Sequence, residues 1–216
     1  MKKKILAIAL IAVVLCVCFT ACGSDDTGIE EVAYFDSGAM KYVLLKEKNP
    51  SDNTEKFYAK AVSYIGEEFS SPIQNVSVTI PSKVTYEDKE YDVVSVGSLA
   101  FNRKKVTNIY VEEGISIIDN FAFGYCDLTY VELPSTITDI GEYAFVGCNS
   151  FGELRINAVT PPKLGGYAFK IYNEGDNVYV INGKLRIYVP QEAESVYKNT
   201  QTDSSWSEYS GIISKQ

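Results

Sequence analysis

Histidine is absent from this sequence. Its absence excludes Ser-His-Asp and Cys-His catalysis, HExxH zinc sites and most imidazole-based metal centres. Basic residues are scarce as well: 20 Lys and Arg stand against 28 Asp and Glu, a net charge of −8. Nucleic acid, whose phosphates demand a basic footprint, is therefore not an expected partner. The 28 acids contain carboxylate pairs by chance alone, and no pocket is legible that would raise one pKa for glycosidase chemistry. No catalytic motif and no cofactor site emerge.

Long apolar runs are confined to the N-terminus. Lys2, Lys3 and Lys4 precede "ILAIALIAVVLCVCF", a positive n-region and an h-region of signal-peptide length. Thr20 and Ala21 are small residues before Cys22, and "FTAC" resembles a bacterial lipobox, with Phe19 where leucine is usual. The resemblance implies cleavage after Ala21 and lipid on Cys22. An uncleaved membrane anchor is the other reading; the short h-region and the polar "GSDDTG" favour cleavage. Each buried methylene of the acyl chains would contribute about 0.8 kcal/mol of membrane affinity, and membrane contact is expected through this anchor only. Residues 1–21 are thus read as a signal and 22–31 as a flexible tether. The cleaved chain keeps 17 basic residues against 28 acids, a net charge of about −11.

Cysteine is nearly spent by then. Beyond Cys22 only Cys126 and Cys148 remain. An exported protein permits a disulfide between them; two small buried hydrophobes in neighbouring layers is the alternative.

Those two cysteines close matching segments, "IIDNFAFGYC" and "DIGEYAFVGC". Four Ala-Phe pairs, Ala100-Phe101, Ala122-Phe123, Ala144-Phe145 and Ala168-Phe169, recur at spacings of 22, 22 and 24 residues. An aliphatic stands four residues before each alanine (Val96, Ile118, Ile140, Leu164), followed by Gly97, Asp119, Gly141 and Gly165. Glycine with an occasional aspartate suggests a position needing positive φ. Downstream, "VTNIYVEEG" and "LTYVELP" alternate as half-buried strands do. A period of about 20–29 residues with one short strand per turn is the leucine-rich-repeat class of solenoid. One unit offers about six apolar side chains at roughly 1.5–3 kcal/mol each, against about 1–2 kcal/mol of backbone ordering for each of its residues. A single unit cannot fold, so copies must adjoin and the ends need caps.

"LTYVELPSTITDIGEYAFVGC", residues 128–148, resembles the repeat of the BspA-like leucine-rich-repeat family of bacterial cell-surface proteins. That pattern is Leu-x-x-Val-x-Leu-Pro-x-x-Ile-x-x-Ile-Gly-x-x-Ala-Phe-x-x-Cys, matched here at every specified position. The copy at 106–126 departs at Gly114 and Asp119, and the copy beginning at Val96 has Lys104 in place of cysteine. The resemblance spans about residues 76–212. It implies a mostly β, short solenoid with a parallel sheet, an N-terminal antiparallel β cap and a C-terminal short-helix cap. It also implies surface exposure with binding or adhesion as the role. The expected division is cap 32–92, solenoid 93–190 with about four repeats and an insertion at 170–184, and cap 191–216, in which Trp206 and Tyr209 close the core.

On a solenoid the sheet face is the default binding surface. Its outward side chains should form two columns: Asn108, Tyr130, Glu153 and Arg186; then Tyr110, Glu132, Arg155 and Tyr188. Parallel strands about 4.8 Å apart would set Glu132 beside Arg155 and Glu153 beside Arg186. This is a patch four strands wide, rich in the aromatic and bidentate groups of binding hot spots; equally, it is a solvated sheet whose opposite charges pair across strands. The insertion "KIYNEGDNVYVINGK" carries Glu174, Asp176 and Asn177, oxygen ligands of the calcium type without EF-hand spacing, and "INGK" reads as a hairpin turn. Sixteen tyrosines are ordinary strand residues and by themselves mark no sugar site. Two functions remain open: an exported, lipid-anchored surface module recognising a protein or glycan, and an assembly subunit of an envelope complex with no soluble ligand. "CGSDD" suits either an exposed lipoprotein of a Gram-negative cell or a tether on a Gram-positive membrane.

Overall fold

A strand that buries every second residue, repeated 22 residues later, lays each copy flat against the last. The computed structural model describes residues 28–66, 75–199 and 204–216; the signal segment and Cys22 lie outside them. The cap begins with β1 (Ile29–Ser37), β2 (Met40–Lys48) and β3 (Glu55–Tyr64), followed by β4 (Ser77–Ile80), β5 (Lys83–Tyr86) and β6 (Lys89–Val96). The repeats supply β7 (Asn108–Val111), β8 (Ile117–Ile118), β9 (Tyr130–Leu133), β10 (Asp139–Ile140), β11 (Glu153–Ile156) and β12 (Lys163–Leu164). A hairpin of β13 (Lys170–Asn173) and β14 (Val178–Ile181) precedes β15 (Arg186–Val189). The chain closes with α1 (Glu194–Lys198), α2 (Ser204–Ser207) and β16 (Ile213–Lys215). Among the described residues no helix is long and apolar enough to cross a membrane.

Two sheets wall the coil. The front sheet runs β16-β15-β11-β9-β7-β4 and every neighbour is parallel. The back sheet runs β1-β2-β3-β6-β8-β10-β12, antiparallel from β1 to β3 and parallel from β3 to β12. The mostly β solenoid with a parallel sheet and a short C-terminal helix is therefore the fold. The caps, however, do more than the sequence pattern implied. Residues 29–31, read as tether, already pair with β2. β6 straddles the boundary set at residue 93, and β4, read as part of an antiparallel cap, joins the front sheet in parallel. With β16 at the far end, the face is six strands wide instead of four.

Between the sheets runs a column of rings. Tyr64 stacks on Phe101, Phe101 on Phe123, Phe123 on Phe145 and Phe145 on Phe169, at centroid distances of 5.3, 5.0, 5.1 and 5.5 Å. Phe169 meets Tyr209 edge-on, and the Trp206 indole donates to the Pro162 carbonyl at 2.7 Å. Both residues are buried, as the last ring surface requires. Cys126 and Cys148 are free. Each thiol donates back one layer, Cys126 to the Phe101 carbonyl at 2.9 Å and Cys148 to that of Phe123 at 3.1 Å.

The glycine positions serve a purpose other than the one expected. Gly97, Gly141 and Gly165 do not adopt positive φ. A Cβ on Gly165 would stand 2.3 Å from the Glu142 nitrogen, and one on Gly141 would stand 2.6 Å from that of Asn120. Glycine is required because adjacent turns touch backbone to backbone. The left-handed residues lie two positions later, at Leu99, Phe121, Tyr143 and Tyr167, with φ of 62, 55, 56 and 60°.

Replacing Gly165 by Ala should therefore destabilise the fold by about 1–3 kcal/mol. Gly166→Ala, with nothing within 4 Å of its Cβ, should change stability by less than about 0.5 kcal/mol. Chemical denaturation of the two variants compares them directly, and equal losses would refute the contact argument. Burial pushes the Cys148 thiol up to about 12, and Cys126 is raised for the same first reason. Neither should alkylate at pH 8 in the native protein, and both should after unfolding, as peptide mapping by mass spectrometry will read.

Candidate functional site

The front sheet positions its outward residues by register alone. Val131, Leu133, Leu154, Ile156, Ile187 and Val189 point inward and are fully buried, which turns their neighbours out. Tyr110 stands opposite Glu132, Glu132 opposite Arg155, and Arg155 opposite Tyr188. Asn108, Tyr130, Glu153 and Arg186 line up likewise. The cap strands extend the columns with Ser77 and Thr79 on one side and Ser214 on the other.

The contacts made are not the cross-strand ion pairs that adjacency suggested. The Arg155 Nε donates to Glu153 Oε1 at 2.6 Å along its own strand. Its guanidinium carbon lies 5.6 Å from the centre of the Tyr188 ring. Glu132 is satisfied elsewhere, accepting from the Tyr130 hydroxyl at 2.8 Å on one oxygen and from Asn157 Nδ2 at 3.3 Å on the other. Arg186 turns back to the carbonyls of Gly183 and Leu185, at 3.1 and 2.8 Å. Each carboxylate is met along its own strand, Glu132 by Tyr130 and Glu153 by Arg155, while Arg186 spends its Nη1 on backbone carbonyls beside it. Tyr110 and Tyr130 pack with centroids 5.5 Å apart. Asn157 also accepts from Gln216 Nε2 at 3.2 Å, so one polar chain links β9, the residue after β11 and Gln216. Asn157 and Gln216 were not legible in the sequence, because neither falls on a strand.

Partial burial and the neighbouring Glu132 push the Tyr130 phenol up to about 12. Glu153, through its hydrogen bond, raises Arg155 further. Tyr130 thus stays neutral and Arg155 charged across the physiological range.

The 170–184 insertion is a hairpin of its own, lying on the turns. Phe121, Tyr143 and Tyr167, the left-handed residues, stack at 4.7 and 5.1 Å, and Tyr179 from β14 caps Tyr143 and Tyr167 edge-on. Arg103 lies over the Tyr125 ring and Lys170 over Tyr167. At the hairpin tip Asp176 accepts from Asn173, and Asn177 from the Tyr172 hydroxyl. Among the described residues no group of acids or cysteines is arranged to hold a metal ion. "INGK" is no hairpin turn. Asn182 is buried, and its amide bridges to the carbonyls of Cys148 and Phe151, at 3.0 and 3.2 Å.

On the back, a groove of about 510 Å³ opens between β1–β3 and the first repeats, lined by Leu45, Tyr58, Lys60, Ser95, Ile117 and Asp119 among others. Lys60 crosses over Gly97 to pair with Asp119 at 2.8 Å. Here, then, the aspartate that stands in a glycine position is bound to the cap.

Residues 94–191 match the family described as BspA type leucine rich repeat region, in six copies where the Ala-Phe register counts four. The solved structures similar to this chain include three from bacteria. A leucine-rich repeat protein from Bacteroides capillosus is 21% identical, with 72% of this chain and 99% of that one covered and a TM-score of 0.49. The pneumococcal vaccine antigen PcpA is 17% identical, covering 75% of this chain and 51% of its own, with a TM-score of 0.38. A leucine rich cell surface protein from Faecalibacterium prausnitzii is 15% identical, covering 69% and 58%, with a TM-score of 0.31. This chain spans little more than half the length of the last two. Among curated proteins no significant match is found.

A raised phenol pKa stabilises the fold wherever the phenol is protonated in both states, below pH 10, and that contribution fades as pH climbs toward about 12. Tyr130→Phe should therefore flatten the loss of stability above pH 10, measured by denaturation at a series of alkaline pH values. An unchanged slope would mean that folding does not raise the Tyr130 phenol.

Proposed function

We propose that this chain, whose body at residues 94–191 is a BspA type leucine-rich-repeat region, is a binding module of the bacterial cell surface. It is held to the membrane by lipid on Cys22 and recognises its ligand, a protein or a glycan, through the front sheet. The reading is non-enzymatic. The observation that carries it is a pair of neighbouring preset groups, Tyr110, Tyr130 and Glu132 in one and Glu153, Arg155 and Tyr188 in the other, each held by its own contacts before any ligand arrives. Tyrosine offers large contact area at low entropic cost, and a face whose rotamers are set in advance loses little more on binding.

Tyr130→Ala with Arg155→Ala should weaken attachment of the protein to its target cells or matrix at least 100-fold, since two hot spots of about 2 kcal/mol each would give about 700-fold if additive. The thermal melt should move little, since neither side chain reaches the ring column. Surface plasmon resonance on the target reads the first, and unchanged affinity would remove the face from the proposal. Protease added to intact native cells, followed with an antibody to the C-terminal cap, tests the location. Loss of signal is expected; protection until lysis would turn the reading inward, toward an envelope complex.

A further inference from the structure

The hydrogen-bonding capacity of the front face is unevenly spent. Its acceptors are largely used: both Glu132 oxygens are taken by Tyr130 and Asn157, and the amide oxygens of Asn108 and Asn157 by Thr129 and Gln216. Of the carboxylate oxygens in the two columns, only Glu153 Oε2 has no hydrogen-bond partner among the described residues. The donors are different. Arg155 commits Nε to Glu153 and one face to Tyr188, which fixes the guanidinium plane, but neither Nη group has a partner among the described residues. The hydroxyls of Tyr110 and Tyr188 in the same column likewise have no partner among the described residues; Tyr188 adjoins Arg155, and Tyr110 lies beyond Glu132. What is left at the centre of the face is a planar fork of N–H donors with the Tyr188 phenol on one side and, on the other, Glu132, whose two oxygens are already bonded. Such a fork matches the two oxygens of a carboxylate.

The charges agree. Across the two columns Arg155 and Arg186 balance Glu132 and Glu153, so this face is neutral on a chain of net charge −8. An anion meets no net repulsion there. Sugar rings are less well served. A pyranose would need an open aromatic face, yet Arg155 covers one face of Tyr188, and Tyr110 and Tyr130 pack on one another.

We infer that the front sheet binds an acidic peptide segment of a partner protein, with an Asp or Glu carboxylate seated on the Arg155 Nη fork. This rests on the front sheet being the binding face and names the group it takes.

A random-peptide display library panned against the full chain tests it. Arg155→Lys keeps the charge and removes the fork; Lys163→Ala, exposed on the back sheet, is the control, and thermal melts verify that both variants fold. Enriched peptides should contain Asp or Glu and should bind Arg155→Lys at least tenfold more weakly, with Lys163→Ala unchanged. Peptides that bind Arg155→Lys as well as the parent, yet are lost with Tyr130→Ala/Arg155→Ala, would overturn the carboxylate and leave the face standing. Peptides indifferent to both variants would overturn the face as well. If no peptide is enriched, the peptide assignment is wrong, and binding of uronate oligosaccharides that is sensitive to Arg155→Lys would move the carboxylate to a glycan.

Discussion

Each turn of this protein is stable only because another turn lies about 4.8 Å from it, the spacing of paired strands, and nearly every other feature is a consequence. The ring column from Tyr64 to Phe169 repeats at 5.0–5.5 Å. That spacing allows one phenylalanine per turn to be walled by the next. It also brings backbones so close at Gly141 and Gly165 that a side chain there has no room. The cysteine thiols answer the same closeness, returning a hydrogen bond to a carbonyl one layer back. Remove the neighbour and each of these groups faces water or a void.

A stack of this kind must end, and the two ends are solved with different chemistry. At the start, Tyr64 supplies the first ring, and the cap adds β4 to the front sheet and β3 with β6 to the back. Lys60 then ties the cap to the second repeat through Asp119, over the bare Gly97. At the finish, where strand pairing runs down to the three residues of β16, bulk replaces repetition: Trp206, Tyr209 and Tyr197 cover Phe169 and one another.

The stack also fixes two surfaces. On the front, register places tyrosines, arginines and glutamates side by side, and partners two along on the same strand take the bonds. On the turns, left-handed Phe121, Tyr143 and Tyr167 accept an unfavourable backbone, about 1–2 kcal/mol per residue for a non-glycine, and stack their rings outside the coil. The inserted hairpin settles on that outer ladder through Tyr179, which leaves the front sheet uncovered by it.

The sequence by itself determined the repeat, its period and the layer each residue belongs to. Ala-Phe, the aliphatic four residues before it and the alternation in "YVEL" depend only on spacing along the chain, and spacing is what stacking reads. The same alternation was enough to align Tyr130 with Glu153 and Glu132 with Arg155 across strands. Which of these touch was decided by tertiary structure, because rotamers and competing partners are not encoded in register: Arg155 took Glu153, and Asn157 and Tyr130 filled Glu132. The glycine column was visible as a pattern, but its cause was not, since the clash it avoids lies one turn away in space and 22 residues away in sequence. The width of the face was likewise hidden. β4 precedes the first Ala-Phe copy and β16 lies beyond the last, and each becomes part of the face by lying against a strand of the stack.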